Sequence, residues 1–238
     1  MTWMRWTIAA MAALPAIPAS AITGAAAPFD FSYSYPPAAA RIAPLRAWLE
    51  RDKATLRTDT ARDATDAERD ARTSGFPYRR YETQKIWKLV TETPRFVSLS
   101  GLMYAYTGGA HGMSGSLSLL WDKKAGQRLS PTDLFRSPAA IEAALGARFC
   151  AALNVERAKR RGAPVPDDGD EFDACPKMKD VSLLLGSSNR RRFDRIGLIA
   201  DPYVAGPYAE GQYEITLPVT PAVIAAVKPA YRETFEAR

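Results

Sequence analysis

The chain has 238 residues, of which 47% are hydrophobic and 24% are charged, with a formal net charge of +6 and a pI of about 9.4. This length and composition are typical of a globular protein with one large domain or two small ones. The 32 basic and 26 acidic residues are well mixed, without a block of interleaved basic and aromatic residues, which argues against nucleic acid as a partner.

The first 21 residues have the pattern of a secretory signal peptide. Arg5 makes the start positive, residues 6–17 are apolar, and small residues at 19–21 form a cleavage site. The apolar run is short and interrupted by prolines, so an uncleaved membrane anchor is the weaker alternative. The sequence therefore predicts an exported protein, periplasmic or extracellular, with no transmembrane anchor once residues 1–21 are removed.

The following residues predict a strand and a long helix. Aromatic and polar residues alternate over residues 29–35, which is typical of a half-buried strand. Two prolines end the strand and begin a helix whose apolar stripe reaches Leu56. Residues 58–72 keep only alanines as apolar residues, which predicts a solvated helical arm or a flexible excursion. Residues 74–77 break the pattern and mark a possible seam between subdomains.

The middle of the chain predicts strands on both sides of a glycine-rich loop. Residues 78–90 and then the apolar run 96–106 read as strands, and alternation over residues 117–121 predicts another. Between them, residues 104–115, here called the first loop, contain four glycines and the only histidine, His111. Glycines at such a place indicate backbone with φ > 0 or a close approach by another group.

The last third predicts a helix, two strands and a second dense loop. A capping serine and a proline begin the helix at residues 137–138, and a basic run followed by Gly162 ends it. Residues 193–199 and 213–219 predict strands on either side of residues 201–211, here called the second loop. A short helix over 221–227 follows.

Strands and helices are segregated along the chain rather than strictly alternating. This order predicts an α+β fold with an antiparallel sheet packed with helices in two layers. The exported domain covers residues 22–238, either as one compact domain or as two closely packed subdomains that meet near residues 74–77.

The two cysteines, Cys150 and Cys175, predict a disulfide because the count is even and export places the chain in an oxidising compartment. Two free buried thiols are the alternative. The chain-entropy estimate for such a bridge is roughly 3 kcal/mol of stabilisation.

Several common catalytic and metal-binding patterns are missing. One histidine and two cysteines do not suffice for a closed structural zinc site, which takes about four such ligands. The sequence has no G-x-S-x-G serine, no Lys-Ser/Thr after the glycines to form a phosphate loop, and no calcium-loop spacing among the carboxylates of residues 167–173. We therefore predict no catalytic residue, no metal and no cofactor.

His111 has two interpretations. Its ring nitrogens can hold the first loop by hydrogen bonds to the backbone, or the ring can belong to a pocket shared with the second loop. The tyrosines of both loops can stack on sugar rings or on a partner, although plain packing is equally open. The candidate ligand-binding residues are Tyr106, Gly108, Gly109, His111, Tyr203, Tyr208 and Glu210.

The motifs of the two loops resemble a known family. Tyr106-Thr-Gly-Gly-Ala-His-Gly112, Asp133-Leu-Phe135, Pro202-Tyr203 and Gly206-Pro-Tyr-Ala-Glu-Gly211 resemble a family of exported domains. This family forms the extracellular region of the RsiV anti-sigma factor and the accessory domain of the PdaC peptidoglycan deacetylase. With the helix around Trp48 to Lys53, the motifs span nearly all of the mature chain.

The resemblance implies an α+β domain in the cell envelope. In the anti-sigma factor it implies lysozyme binding, and in the deacetylase the domain is the accessory one and not the catalytic one. Deacetylase chemistry needs a metal held by His and Asp, so a chain with a single histidine is not expected to share it. The anti-sigma role is not expected either, because no cytoplasmic sigma-binding segment precedes the domain.

The function predicted from these observations is a non-catalytic exported binding or sensor domain of the cell envelope. Its candidate partner is peptidoglycan or a muramidase, and the basic charge favours an anionic envelope polymer over a basic lysozyme. The alternative is an envelope hydrolase with His111 as general base and Glu210 or Asp201 as its partner. A third hypothesis is a structural envelope protein.

Overall fold

The structure is a computed structural model that describes residues 27–166 and 169–238. Within these residues the strands form one sheet of five strands and one of three, and helices pack against them. The predicted α+β class is thus confirmed. The predicted signal peptide lies outside the described residues, as do Asp167 and Asp168.

The larger sheet and its helices come from the first part of the chain. Its strand order is β1-β2-β3-β4-β5, and neighbouring strands are antiparallel except for β1 and β2, which are parallel. The elements are β1 (Phe29–Ser34), α1 (Pro37–Ala40), α2 (Ala43–Ser74), β2 (Tyr81–Glu92), β3 (Phe96–Tyr106), β4 (Met113–Asp122) and β5 (Gln127–Leu129). The parallel pair departs from the predicted antiparallel sheet because α1 and α2 form a crossover that brings β2 back in the direction of β1.

Helix α2 runs without interruption through the segment predicted as a solvated arm. Thr60, Ala64 and Ala71 are buried, and the Thr60 hydroxyl donates to Thr83 on β2 over 3.1 Å. Small side chains let the helix lie close to its neighbours while its charged residues stay in water. The helix ends at Gly75, whose φ of +74° gives a left-handed C-cap. The subdomain seam proposed at residues 74–77 stays a prediction.

The smaller sheet and two further helices come from the last part of the chain. All three strands are antiparallel, in the order β6-β7-β8. The elements are α3 (Pro138–Arg161), β6 (Ser182–Gly186), β7 (Arg195–Ala200), β8 (Tyr213–Pro218) and α4 (Pro221–Ala226). Helix α3 has the predicted ends, because Ser137 Oγ accepts from the Ala140 amide and Gly162 takes φ +72°. Strand β6 had no counterpart among the predicted elements.

Two hydrophobic cores hold the layers together. One lies between α2 and the larger sheet and includes Leu49, Trp87 and Leu119. The other contains side chains from both sheets and from α3, including Phe96 and Phe149. This shared core joins the smaller sheet to the face of the larger sheet that α2 does not cover. Both faces of the larger sheet therefore carry packed structure.

The predicted disulfide between Cys150 and Cys175 is confirmed, with Cα atoms 5.5 Å apart. It ties α3 to the segment before β6. The neighbouring Arg157 is fully buried, and its guanidinium donates to the carbonyl oxygens of Asp173, Ala174 and Ala205. The disulfide segment and the second loop are therefore held by the same side chain.

Candidate functional site

The first loop closes between β3 and β4 through hydrogen bonds to one carbonyl. The Gly109 oxygen accepts from the Tyr106 hydroxyl and from Arg79 Nη1, each at 3.1 Å. Gly108 has φ +87°, a conformation that side chains rarely adopt, whereas an added Cβ at Gly109 meets no atom closer than 4.0 Å. Tyr106, Gly108 and Gly109 thus shape the loop.

His111 is exposed at the tip of this loop and lies against the second loop. Its Nδ1 is 3.0 Å from the Gly112 oxygen, and since a carbonyl oxygen only accepts, Nδ1 carries the hydrogen of this bond. Its ring stacks on Tyr208 with centroids 4.3 Å apart and planes inclined by 28°. The Tyr208 hydroxyl donates to the same Gly112 oxygen over 3.2 Å. The two loops therefore meet through one stacked pair and one shared acceptor.

Tyr203 extends this stack on the surface. Its ring centroid lies 5.8 Å from that of Tyr208, and the two side chains are 48% and 38% exposed. Its backbone φ of +71° is uncommon for a residue with a bulky side chain. His111, Tyr208 and Tyr203, here called the aromatic ledge, present three adjacent rings to solvent.

Asp201 anchors the beginning of the second loop to the larger sheet. Its carboxylate accepts from the Ser116 amide at 2.8 Å and from the Ser116 hydroxyl at 2.6 Å. These bonds place the second loop over the start of β4, where the first loop also returns to the sheet. The position of the ledge is therefore set by β4 as well as by the loops.

Glu210 anchors the other end of the second loop. Its carboxylate accepts from Arg161 Nε at 2.8 Å and from the Tyr213 hydroxyl. Burial acts to raise the pKa of Glu210, but the hydrogen bonds from Arg161 and Tyr213 outweigh it and hold the pKa below its ordinary value. The pKa of Tyr213 is raised, first by burial and then by its hydrogen bond to Glu210.

The structure thus brings together only part of the predicted site. His111, Tyr208 and Tyr203 form the ledge, Tyr106, Gly108 and Gly109 support it, and Glu210 faces Arg161 and Tyr213. Asp201 and Glu210 each make their hydrogen bonds with groups other than His111. This arrangement does not favour the hydrolase interpretation, which needs a carboxylate beside the ring. Within residues 27–166 and 169–238, no group of three potential metal ligands is clustered.

An open cleft of about 700 Å³ lies beside the ledge, between the larger sheet and the smaller one. The sequence analysis did not predict this cleft. The available signal was that residues two apart on β2, β3 and β4 point to the same face of the larger sheet. The lining side chains from the larger sheet include Gln84, Ile86, Lys88, Ser100, Leu102, Tyr104 and Ser114. The opposite wall includes Leu184, Ile199, Pro202, Tyr208, Gln212 and Glu214. Tyr208 belongs both to the cleft and to the ledge.

The sequence model of the family described as deacetylase PdaC matches residues 22–114. Residues 22–114 are therefore similar to the PdaC family. The match covers α2, the first three strands and the first loop with His111, but not the second loop, so it is shorter than the resemblance predicted from the motifs. The aromatic ledge thus joins the matched region to a part of the chain beyond it.

Two solved structures are similar to this chain. One is a DUF3298 family protein from Pseudomonas aeruginosa PAO1, with 21% identity and a TM-score of 0.46 over 72% of this chain and 71% of that chain. The other is a DUF3298 family member from Bacteroides fragilis NCTC 9343, with 19% identity and a TM-score of 0.43 over 74% and 66%. No curated protein matches this chain significantly. None of the described helices is long and apolar enough to cross a membrane.

Proposed function

We propose that this protein is an exported, non-catalytic binding domain of the cell envelope that recognises peptidoglycan or a muramidase through the aromatic ledge. The observation that carries the proposal is the meeting of His111, Tyr208 and Tyr203, from two loops far apart in sequence, as one exposed row of rings. Exposed aromatic rings that are held in place give large contact area at small entropic cost.

The strained backbone at Tyr203 supports this proposal. A non-glycine residue with φ +71° costs free energy and persists only where the surroundings impose it, which is frequent at binding sites. The Tyr203 amide donates to the Gly206 oxygen at 2.9 Å, and this bond holds the turn that presents the ring. The exposed position of Tyr203 is thus built into the second loop.

Export is supported by two independent features. The signal-like segment of residues 1–21 predicts secretion, and the disulfide between Cys150 and Cys175 is typical of an oxidising compartment. The periplasm or the cell exterior is therefore the proposed location.

A binding experiment tests the proposal. The purified chain, without residues 1–21, is incubated with insoluble peptidoglycan and, separately, with an immobilised muramidase. We expect retention by at least one of them and at least a tenfold weaker affinity for Tyr203→Ala. Phe76→Ala serves as the matched control, because Phe76 is an exposed aromatic side chain outside the ledge. Absence of binding to both probes, or equal loss with the control, would reject the proposal.

A further inference from the structure

The cleft beside the ledge has the form of a ligand site rather than of a packing defect. Its volume of about 700 Å³ falls in the range of small-molecule sites, about 300–1,000 Å³. One wall is the open face of a sheet, which fixes side chains at regular spacing. The other wall is the smaller sheet with the second loop, which is anchored by Asp201 and Glu210.

The charge of the cleft favours an uncharged ligand. Lys88 and Glu214 are its charged lining residues, and their charges are opposite. A cleft without net charge gives no electrostatic preference to a polyanion or to a charged peptide.

The polar lining consists mainly of amides and hydroxyls. Gln84 and Gln212 offer both donors and acceptors, as do the hydroxyls of Ser100, Ser114 and Tyr104. Ile86 and Leu102 alternate with these groups on the same sheet face and provide apolar contacts. Such a mixture is complementary to a sugar ring, which has hydroxyls at its rim and C–H groups on its faces. An acetamido substituent likewise combines a methyl group with an amide.

The cleft continues into the ledge. Tyr208 lines the cleft on one side and stacks on His111 on the other, and Pro202 lies next to Tyr203. A linear ligand that fills the cleft can therefore extend across the exposed rings. Tyrosine rings at the exit of a cleft suit the stacking of further sugar units.

We propose that the cleft binds an uncharged, N-acetylated oligosaccharide, so that the glycan strand of peptidoglycan and not its peptide is recognised here. This inference rests on the proposed function and specifies the chemical class of ligand for the cleft next to the ledge. The glycan lies along β2, β3 and β4, with its acetamido groups against Gln84, Ile86 and Leu102, and leaves the cleft over Tyr208.

Calorimetric titration of the full mature chain with tetrameric N-acetylglucosamine tests this proposal. We expect saturable binding, at least tenfold weaker binding of the de-N-acetylated tetramer, and no binding of a free stem peptide. Gln84→Leu replaces an amide in the cleft and should weaken binding at least tenfold. Gln127→Leu, the same replacement on exposed β5 outside the cleft, is the matched control and should leave binding unchanged.

The outcomes separate this proposal from the one before it. If insoluble peptidoglycan or the muramidase is bound in a Tyr203-dependent manner while the tetramer is not, the glycan assignment of the cleft is wrong and the binding function stands. If the tetramer binds but Gln84→Leu has no effect, the sugar lies elsewhere and the cleft assignment is equally wrong. If neither the tetramer nor the larger probes bind, both proposals fail.

Discussion

Gly112 is the residue at which three ring-bearing side chains of the site converge. Its carbonyl oxygen accepts from His111 Nδ1 and from the Tyr208 hydroxyl, and the Tyr104 ring occupies the space beside its backbone. A Cβ at this position would overlap the Tyr104 ring, well inside van der Waals contact. Glycine is thus required here for a close approach.

Gly112→Ala should therefore disturb both stability and the ledge. We expect a loss of about 1–3 kcal/mol, because the added methyl group must displace the Tyr104 ring or the first loop. Thermal unfolding measures the stability. Gly109→Ala is the matched control in the same loop, since its Cβ would meet nothing closer than 4.0 Å. Equal unfolding temperatures for Gly112→Ala and the original chain would contradict the assignment.

The Glu210 carboxylate makes a pH-dependent contribution to stability. Its pKa is lowered in the folded state because the hydrogen bonds from Arg161 and Tyr213 outweigh the effect of burial. A lowered folded pKa means that the contribution is present above the unfolded pKa and is lost as pH falls through the folded pKa. The relevant window thus lies below about pH 4.3, the ordinary pKa of a glutamate.

Glu210→Gln should consequently lower the unfolding temperature most at neutral pH. The difference from the original chain should shrink as the pH falls from about 7 to about 3, because the original chain loses the same contribution by protonation. Unfolding curves recorded across this range measure the difference. Glu233→Gln, at an exposed site near the C-terminus, is the control. A difference that stays constant with pH would show that the charge of Glu210 is not what stabilises the loop.

At the scale of elements, α3 is the helix that holds the second loop in place. Three of its residues act together: Cys150 forms the disulfide, Arg157 donates to Ala174 and Ala205, and Arg161 binds Asp173 and Glu210. Asp173 and Ala174 immediately precede Cys175. Arg157 and Arg161 thus connect the segment next to Cys175 with the second loop. The disulfide holds that segment in place.

Removal of the disulfide should loosen the second loop as well as destabilise the fold. For the Cys150→Ser/Cys175→Ser variant we expect a loss of roughly 3 kcal/mol from the chain-entropy effect. We also expect faster amide hydrogen exchange over residues 203–211, because the Arg157 and Arg161 contacts lose a fixed partner. Exchange in β3 is the internal control. A loss of stability with unchanged exchange over 203–211 would show that the disulfide and the loop are independent.

Elements with local signals were predictable from sequence. Helix α3 has a capping serine at its start and a glycine at its end, and both bounds were confirmed. Strand β6 was missed because residues 182–186 are an apolar run that is largely buried, without the alternation that marks a half-buried strand. The buried face of the later part of α2, residues 58–72, was missed because its members are alanines and a threonine, which give no large apolar stripe.

The site was predictable only where it depends on loop composition. The glycines and tyrosines identified both loops, and the structure places His111 on Tyr208. The cleft was not predictable, since it exists only because β6 packs across β2, β3 and β4, at a distance set by tertiary contacts. For the same reason, no pattern in the sequence indicated that Glu210 pairs with Arg161 and not with His111.

At the scale of the whole molecule, the site depends on both parts of the chain. The region similar to the PdaC family ends at residue 114, shortly after the start of β4. The ledge and the cleft each need the second loop, which follows β7 much later in the chain. The shared core around Phe96 holds these parts together, so the proposed recognition surface depends on both of them.

Salt can distinguish binding that is driven by the net charge of +6 from binding of an uncharged ligand in the cleft. A basic surface attracts anionic polymers at long range, and salt screens this attraction over about 10 Å at roughly 0.1 M. An uncharged glycan in the cleft makes hydrogen bonds and apolar contacts instead, which salt affects little.

Between about 20 mM and about 300 mM NaCl, affinity for polyglutamate should therefore fall at least tenfold, whereas affinity for tetrameric N-acetylglucosamine should change less than twofold. Titrations with both probes at both salt concentrations measure this. A parallel loss for both would mean that charged groups such as Lys88 and Glu214 dominate in the cleft, and the neutral-glycan assignment would have to be abandoned.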